Sequence, residues 1–160
     1  MANKDAFNGA KAAFTMFDAY VNTVAQDIGM ERAIGLLTKT WENMEAMLGK
    51  RMKEQSVIKE VDAKMAWSLL KTPLAQSYGI IVKMAEETPK KAVGRVGKCP
   101  IYEAAQALGM DAATIEARCR ASSIIGMDAV VKQLNPALSL RLKKFRSAAD
   151  DFCEEEVVLG

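Results

Sequence analysis

Three cysteines carry the most pointed chemistry in this 160-residue chain: Cys99, Cys119 and Cys153. There is no histidine. That removes the side chain that most often acts as a general base near neutral pH and most often ligates metals. Any chemistry must run on Cys, Asp, Glu, Lys, Tyr, Ser or Thr. Cys99 stands where a β-like run, residues 91–97, hands over to a helix with Pro100 in its first turn. A thiol there meets unpaired backbone N–H groups and the positive end of the helix dipole. These influences predict a thiol pKa below the free value of about 8.5, hence a reactive thiolate. Cys119 shares a helical face with Ile115, Ser122, Gly126 and Ala129, at spacings of three and four. That small face suits close packing against a sheet. Free cysteines also fill cores without doing chemistry, and that alternative stands for all three. A structural zinc site is poorly supported: there is no CxxC pair and a fourth thiolate is missing. A soft divalent metal such as zinc or iron at Cys99, Cys119 and Cys153, completed by an acid such as Glu155, stays open as an alternative.

The elements that must position these residues read as helices first. Phe7, Ala10, Phe14, Phe17, Val21, Val24 and Ile28 recur every three or four residues, and Gly29 ends the stripe. A second stripe follows in Ile34, Leu37, Trp41, Met44, Leu48 and Met52, with Glu42, Glu45, Lys50, Arg51 and Lys53 on a solvated face. A third helix is expected through Val61, Met65 and Leu69, broken at Thr72-Pro73. A fourth carries Leu74, Tyr78, Ile81 and Met84 and stops near Thr88-Pro89. The methionines read as flexible core filler.

After Pro89 the pattern changes. Residues 91–97 are strand-like, and Gly94 and Gly97 suggest a bulge, a bend or close backbone approach. A short helix follows Cys99-Pro100, and Asp111 caps another that runs to about Gln133. Asn135-Pro136 is a turn signal. Residues 138–146 and 151–159 then form a β-hairpin. With a loop at 147–150, Phe145 faces Phe152, Lys143 faces Glu154 and Arg141 faces Glu156. The other face sets Leu138, Leu140, Leu142 and Lys144 against Leu159, Val157, Glu155 and Cys153. This register brings Cys153, Lys144 and Glu155 together on the core side.

The expected architecture is α+β and mostly helical: long N-terminal helices packed with a small antiparallel sheet that includes the C-terminal hairpin. One domain over 1–160 is expected, with a helical part at 1–88 and the cysteine-bearing part at 89–160. The net charge of +2 argues against a nucleic-acid partner, and no apolar run is long enough to span a membrane. Met1-Ala2-Asn3-Lys4-Asp5 lacks the apolar stretch of a signal peptide, and an odd cysteine count fits reduced thiols. Both point to the cytoplasm. A small-molecule ligand or substrate is the expected partner. A homo-oligomer is compatible, because an apolar helical stripe serves a core or an interface equally well.

Several motifs, taken in order, carry a resemblance. They are Val96-Gly97-Lys98-Cys99-Pro100-Ile101-Tyr102, then Cys119, then Leu134-Asn135-Pro136-Ala137-Leu138, then Asp150-Asp151-Phe152-Cys153. Residues 90–160 resemble the C-terminal half of the L-2-amino-thiazoline-4-carboxylic acid hydrolase-like family. The resemblance implies hydrolytic opening of a cyclic amidine to an S-carbamoyl cysteine. Either a thiolate adds to the ring carbon, with Cys99 as the attacking group, or water is activated directly; in both versions Cys119 and Cys153 belong to the same catalytic site. Lys144, Glu155 or Asp151 would move protons or hold charged substrate groups, with Tyr102 and Arg95 beside them in substrate binding. The alternative from another class is a non-catalytic domain that binds or senses a small ligand or metal through the three cysteines.

Overall fold

The computed structural model describes residues 4–56 and 60–160. Met1, Ala2 and Asn3, part of the leader reading, lie outside them. The order is α1 (Lys4–Ile28), α2 (Met30–Gln55), α3 (Ala63–Tyr78), β1 (Val82–Glu87), β2 (Lys91–Val96), α4 (Pro100–Ala107), α5 (Ala112–Cys119), a π-helical turn (Arg120–Ile124), α6 (Ile125–Leu134), β3 (Leu138–Lys144) and β4 (Cys153–Leu159). The fold is α+β and mostly helical, as expected. Among the described residues no helix is long and apolar enough to cross a membrane.

Gly29, at a φ of 85°, separates α1 from α2. Few other residues adopt that backbone without strain. Asp62 caps α3 by accepting from the Met65 N–H at 2.8 Å, and Asp111 caps α5 by accepting from the Thr114 N–H at 2.7 Å.

Two expectations for residues 61–88 are overturned. Pro73 does not break a helix; α3 runs through it to Gly79, where a φ of 64° ends the helix. Proline removes one intrahelical hydrogen bond, but apolar residues on both sides of it, Trp67 and Leu70 before and Leu74 after, pack into the same core. Packing outweighs the local cost of about 3 kcal/mol. The helix expected over Ile81 and Met84 is strand β1. Its Lys, Met, Ala and Glu residues favour helix intrinsically, but alternate residues are half-buried and it pairs antiparallel with β2. The sheet therefore begins inside the half expected to be helical.

The strands lie in the order β1-β2-β4-β3, all antiparallel. The inner face carries Ala92 opposite Val157 and Val96 opposite Cys153. It also carries Leu138 opposite Leu159 and Leu140 opposite Val157. Helices α3 and α6 cover this face, and the main core forms between them and the sheet. Helix α2 packs on α6, and α1 on α4. Trp67 is at the centre: it is fully buried, and its Nε1–H donates to the Ala92 carbonyl at 3.1 Å. Gly94 makes room for it. A Cβ there would lie 2.6 Å from Val82 Cγ1 and 3.0 Å from the Trp67 ring. Trp67→Ala is expected to lower unfolding free energy by about 3–5 kcal/mol in urea titration, by leaving a cavity and an orphaned carbonyl. A loss below about 1 kcal/mol would show that the ring does not organise the core.

Candidate functional site

The hairpin register holds from Leu138 to Leu142 and then changes. A bulge between Leu142 and Lys144 sets Lys144 opposite Glu154 rather than Cys153. One extra residue turns the following side chain to the other face. Lys144 therefore leaves the core side. It pairs with Asp151 at 2.8 Å and lies 3.9 Å over the Phe152 ring. Asp151 also accepts from the Ser147 N–H and hydroxyl, which hold its carboxyl well below the usual range together with Lys144. Arg95 pairs with Glu154 at 2.8 Å and covers the other approach to Phe152. Arg95, Asp151 and Phe152 line an outer groove with Lys83 and Lys98. Lys144, Asp151 and Arg95 thus belong to the surface, apart from the thiols.

The thiols converge inside. Cys99 precedes α4, Cys119 ends α5 and Cys153 begins β4. All three are unpaired. Cys119 is close enough to the others to feel charge on Cys99, Cys153 and Glu155. Among the described residues, however, no three Cys, Asp or Glu side chains converge tightly enough to hold a metal ion. The three thiols do not form a ligand set for zinc or iron there.

Glu155 is the acid of this cluster. The sheet places it on the inner face, between Gly94 of β2 and Leu142 of β3. Burial pushes its carboxyl up to about 7, against the opposing pull of the Arg146 guanidinium. Arg146 is 2% exposed. Its Nε–H donates to Cys153 Sγ at 3.4 Å, its Nη2–H to the Val96 carbonyl at 2.9 Å, and its guanidinium lies 4.7 Å over the Tyr102 ring. Tyr102 is buried and packs on Phe145, and so supports the cluster from behind.

The expected acidity of Cys99 is reversed. Burial pushes its thiol up to about 11, although the N–H groups of Tyr102 and Ile101 and the Arg146 charge pull it down. The side chain makes no capping hydrogen bond. Desolvation outweighs the helix N-terminus, so the resting side chain is a neutral thiol. Cys119 is likewise raised well above its ordinary value, first by burial and then by charge on Cys99, Cys153 and Glu155.

Cys99, Cys119 and Glu155 face a cavity of about 100 Å³ walled by Phe14, Trp41, Leu70, Leu142 and other apolar side chains. Three polar groups in it went unrecognised in the sequence. Glu45 was expected on the solvated face of α2, but the helix is rotated by one position. Met44 is 58% exposed, whereas Glu45 faces the cavity with Trp41 and Met52. The legible signal was its i+4 spacing from Trp41. Tyr78 is a second; burial and the charge of Glu45 raise its phenol. Ser123 is the third. Its Oγ is buried with no hydrogen-bond partner among the described residues. It sits in the π-helical turn that follows Cys119, an irregularity often found at functional sites. Behind Cys119 lies a smaller cavity containing the buried Asp18–Arg118 pair at 2.9 Å.

A family model described as L-2-amino-thiazoline-4-carboxylic acid hydrolase matches residues 9–155 of this chain. No curated protein matches its sequence. Among solved structures, it is similar to trafficking protein particle complex subunit 3 from Naegleria fowleri, covalently bound to palmitic acid. The TM-score is 0.54 at 13% identity, over 95% of each chain. That likeness shows the fold.

Proposed function

Because the chain belongs to the L-2-amino-thiazoline-4-carboxylic acid hydrolase family, we propose that its cavity opens a cyclic amidine by hydrolysis. One observation carries the reading: a thiol, Cys99, and an acid of pKa about 7, Glu155, face the same apolar cavity. An amidine is a cation when protonated, and a desolvated carboxylate binds such a cation well. Its arrival favours the ionised forms of both Glu155 and Cys99 and so lowers both pKa values. The neutral resting thiol then becomes a nucleophile only when substrate is present.

Glu155 takes the Cys99 proton as the sulfur bonds to the amidine carbon. The ring C–N bond breaks, and the nitrogen leaves as an amine with the proton from Glu155. Water then adds to the same carbon and returns a proton through Glu155. The C–S bond to Cys99 breaks and releases the S-carbamoyl product and the thiol. Arg146 positions Cys153 and tunes Glu155; Cys119 packs between them and the π-helical turn. The chemistry needs free thiols, which supports a reducing, cytoplasmic setting.

A non-catalytic binding role has its own support, because Cys99 rests protonated. The structurally similar subunit is covalently bound to palmitic acid, which raises an acyl adduct in place of a hydrolytic intermediate. A cavity of about 100 Å³ is smaller than the roughly 150 Å³ that admits a benzene ring, and a long acyl chain would not fit without opening the helices. Acid-quenched mass spectrometry during incubation with 2-amino-2-thiazoline and with its 4-carboxylate separates these readings. The expected result is ring loss with an adduct on Cys99. Binding with ring loss from neither compound would overturn hydrolysis.

A further inference from the structure

The cavity holds a second acid that the reaction above leaves unused. Glu45 has no hydrogen-bond or ion-pair partner among the described residues. A Cβ on Gly126 would lie 2.8 Å from Glu45 Cγ, so the glycine leaves space for this side chain against α6. One turn before Glu45, Trp41 stacks on Phe14 with centroids 6.0 Å apart and planes 12° from parallel. Tyr78 also packs on Phe14, with centroids 6.0 Å apart and planes tilted by 34°. Ser123, with its unpartnered buried hydroxyl, lies three residues before Gly126. An acid, an orphaned hydroxyl and aromatic faces form one apolar chamber. Aromatic faces attract cations, and a carboxylate and a hydroxyl both accept hydrogen bonds from N–H donors.

The chamber lacks the opposite charge. Among the described residues no Lys or Arg lines it. The nearby guanidiniums lie outside it: Arg146 is held by Cys153 and the Val96 carbonyl, and Arg118, whose Nη groups meet Asp18 and Asn22 and whose Nε has no partner among the described residues, lines the smaller cavity behind Cys119. Lys4, Lys83, Arg95 and Lys98 line the separate outer groove. A carboxylate on the ring would meet Glu45 and Glu155 with no cation to pair with. It would also add three heavy atoms to a ligand for which a space of about 100 Å³ is already tight. Met52 and Met127 in the wall can yield to a ligand of six heavy atoms, a five-membered ring with its amino nitrogen.

We propose that this cavity takes a cyclic amidine or guanidine cation that carries no carboxylate, and that Glu45 enforces the choice. The reaction rests on the hydrolase reading; the substrate class rests on the charge and size of the chamber.

The test uses the full chain with Cys99→Ala, so that ligands are not consumed, and calorimetric titration with 2-amino-2-thiazoline and with its 4-carboxylate. The carboxylate-free ring is expected to bind at least about thirtyfold tighter. Glu45→Gln added to this background is expected to reduce that preference to about threefold or less, and Ser123→Ala to weaken the carboxylate-free ring about threefold. Glu45→Met is run in parallel, so that a misfolded Gln variant does not decide the matter. Equal or tighter binding of the carboxylate, or a preference unmoved by both Glu45 variants, overturns the proposal. Wild-type turnover separates the two readings. Selective binding of the carboxylate-free ring without turnover overturns hydrolysis and leaves the selectivity. Efficient turnover of the carboxylate over the plain ring overturns the selectivity and leaves hydrolysis. Binding of neither overturns both.

Discussion

Cys99→Ala is expected to reduce ring opening by at least about a thousandfold while leaving the fold intact. The thiol is the only group in the proposed sequence that forms and then breaks a bond to the amidine carbon, so its loss removes the path rather than slowing one step. The structural cost is small. Alanine deletes one sulfur from the wall of an existing cavity, which costs about 1 kcal/mol. Cys119→Ala and Cys153→Ala remove neighbours and are expected to slow turnover less than about tenfold. Rate assays with circular dichroism check all three. Unchanged turnover in Cys99→Ala would end the nucleophile assignment. Equal losses in all three variants would mean that the cluster acts through packing rather than through one sulfur.

The parts of this site that were legible in the sequence are those with a local cause. A strand followed by Cys-Pro placed Cys99 at a helix start, as found. Alternation in the last strands placed Glu155 beside Leu142 and turned Cys153 inward, as found for residues 138–142 of the hairpin. What was not legible depends on events that no short window contains. The bulge at 142–144 moved Lys144 to the surface, and bulges in such runs have no fixed signature when glycine is absent. Residues 82–87 favour helix by composition and became a strand only because β2 offers a partner. The reactivity of Cys99 was read from its backbone neighbours alone. The cavity around it, assembled from α1, α2, α3, α6 and the sheet, imposes the larger desolvation. Glu45 illustrates the same limit. A rotation of α2 by one residue decides whether an acid meets water or the site, and helical spacing alone does not resolve so small a rotation.

Glu155→Gln should have the other large effect, and it has two separate readouts. In the wild-type protein kcat/KM is expected to rise through about pH 7 and then level, because the ionised carboxyl is the form that accepts the Cys99 proton. Glutamine keeps the shape but accepts no proton, so the rate should fall by about 10²–10⁴-fold and lose that ionisation. Stability gives the second readout, with a definite sign. The folded-state pKa of Glu155, about 7, lies above the ordinary glutamate value of 4.5. The folded protein therefore binds more protons between these values, and stability is lost as pH rises through 7. Half-buried Glu45 and buried Asp18, both also raised by desolvation, act in the same direction. Asp111, Asp151 and Glu154 are lowered and lose their contribution only as pH falls below the carboxylate range, outside a pH 5–8 comparison. Wild type should thus be less stable at pH 8 than at pH 5, with about 2 kcal/mol of the difference due to Glu155. Glu155→Gln should remove that portion and be the more stable protein at pH 8. A variant that lost activity but kept the full pH dependence of stability would show that Glu155 is already ionised at rest. The apolar cavity would then not be holding a proton ready for the reaction.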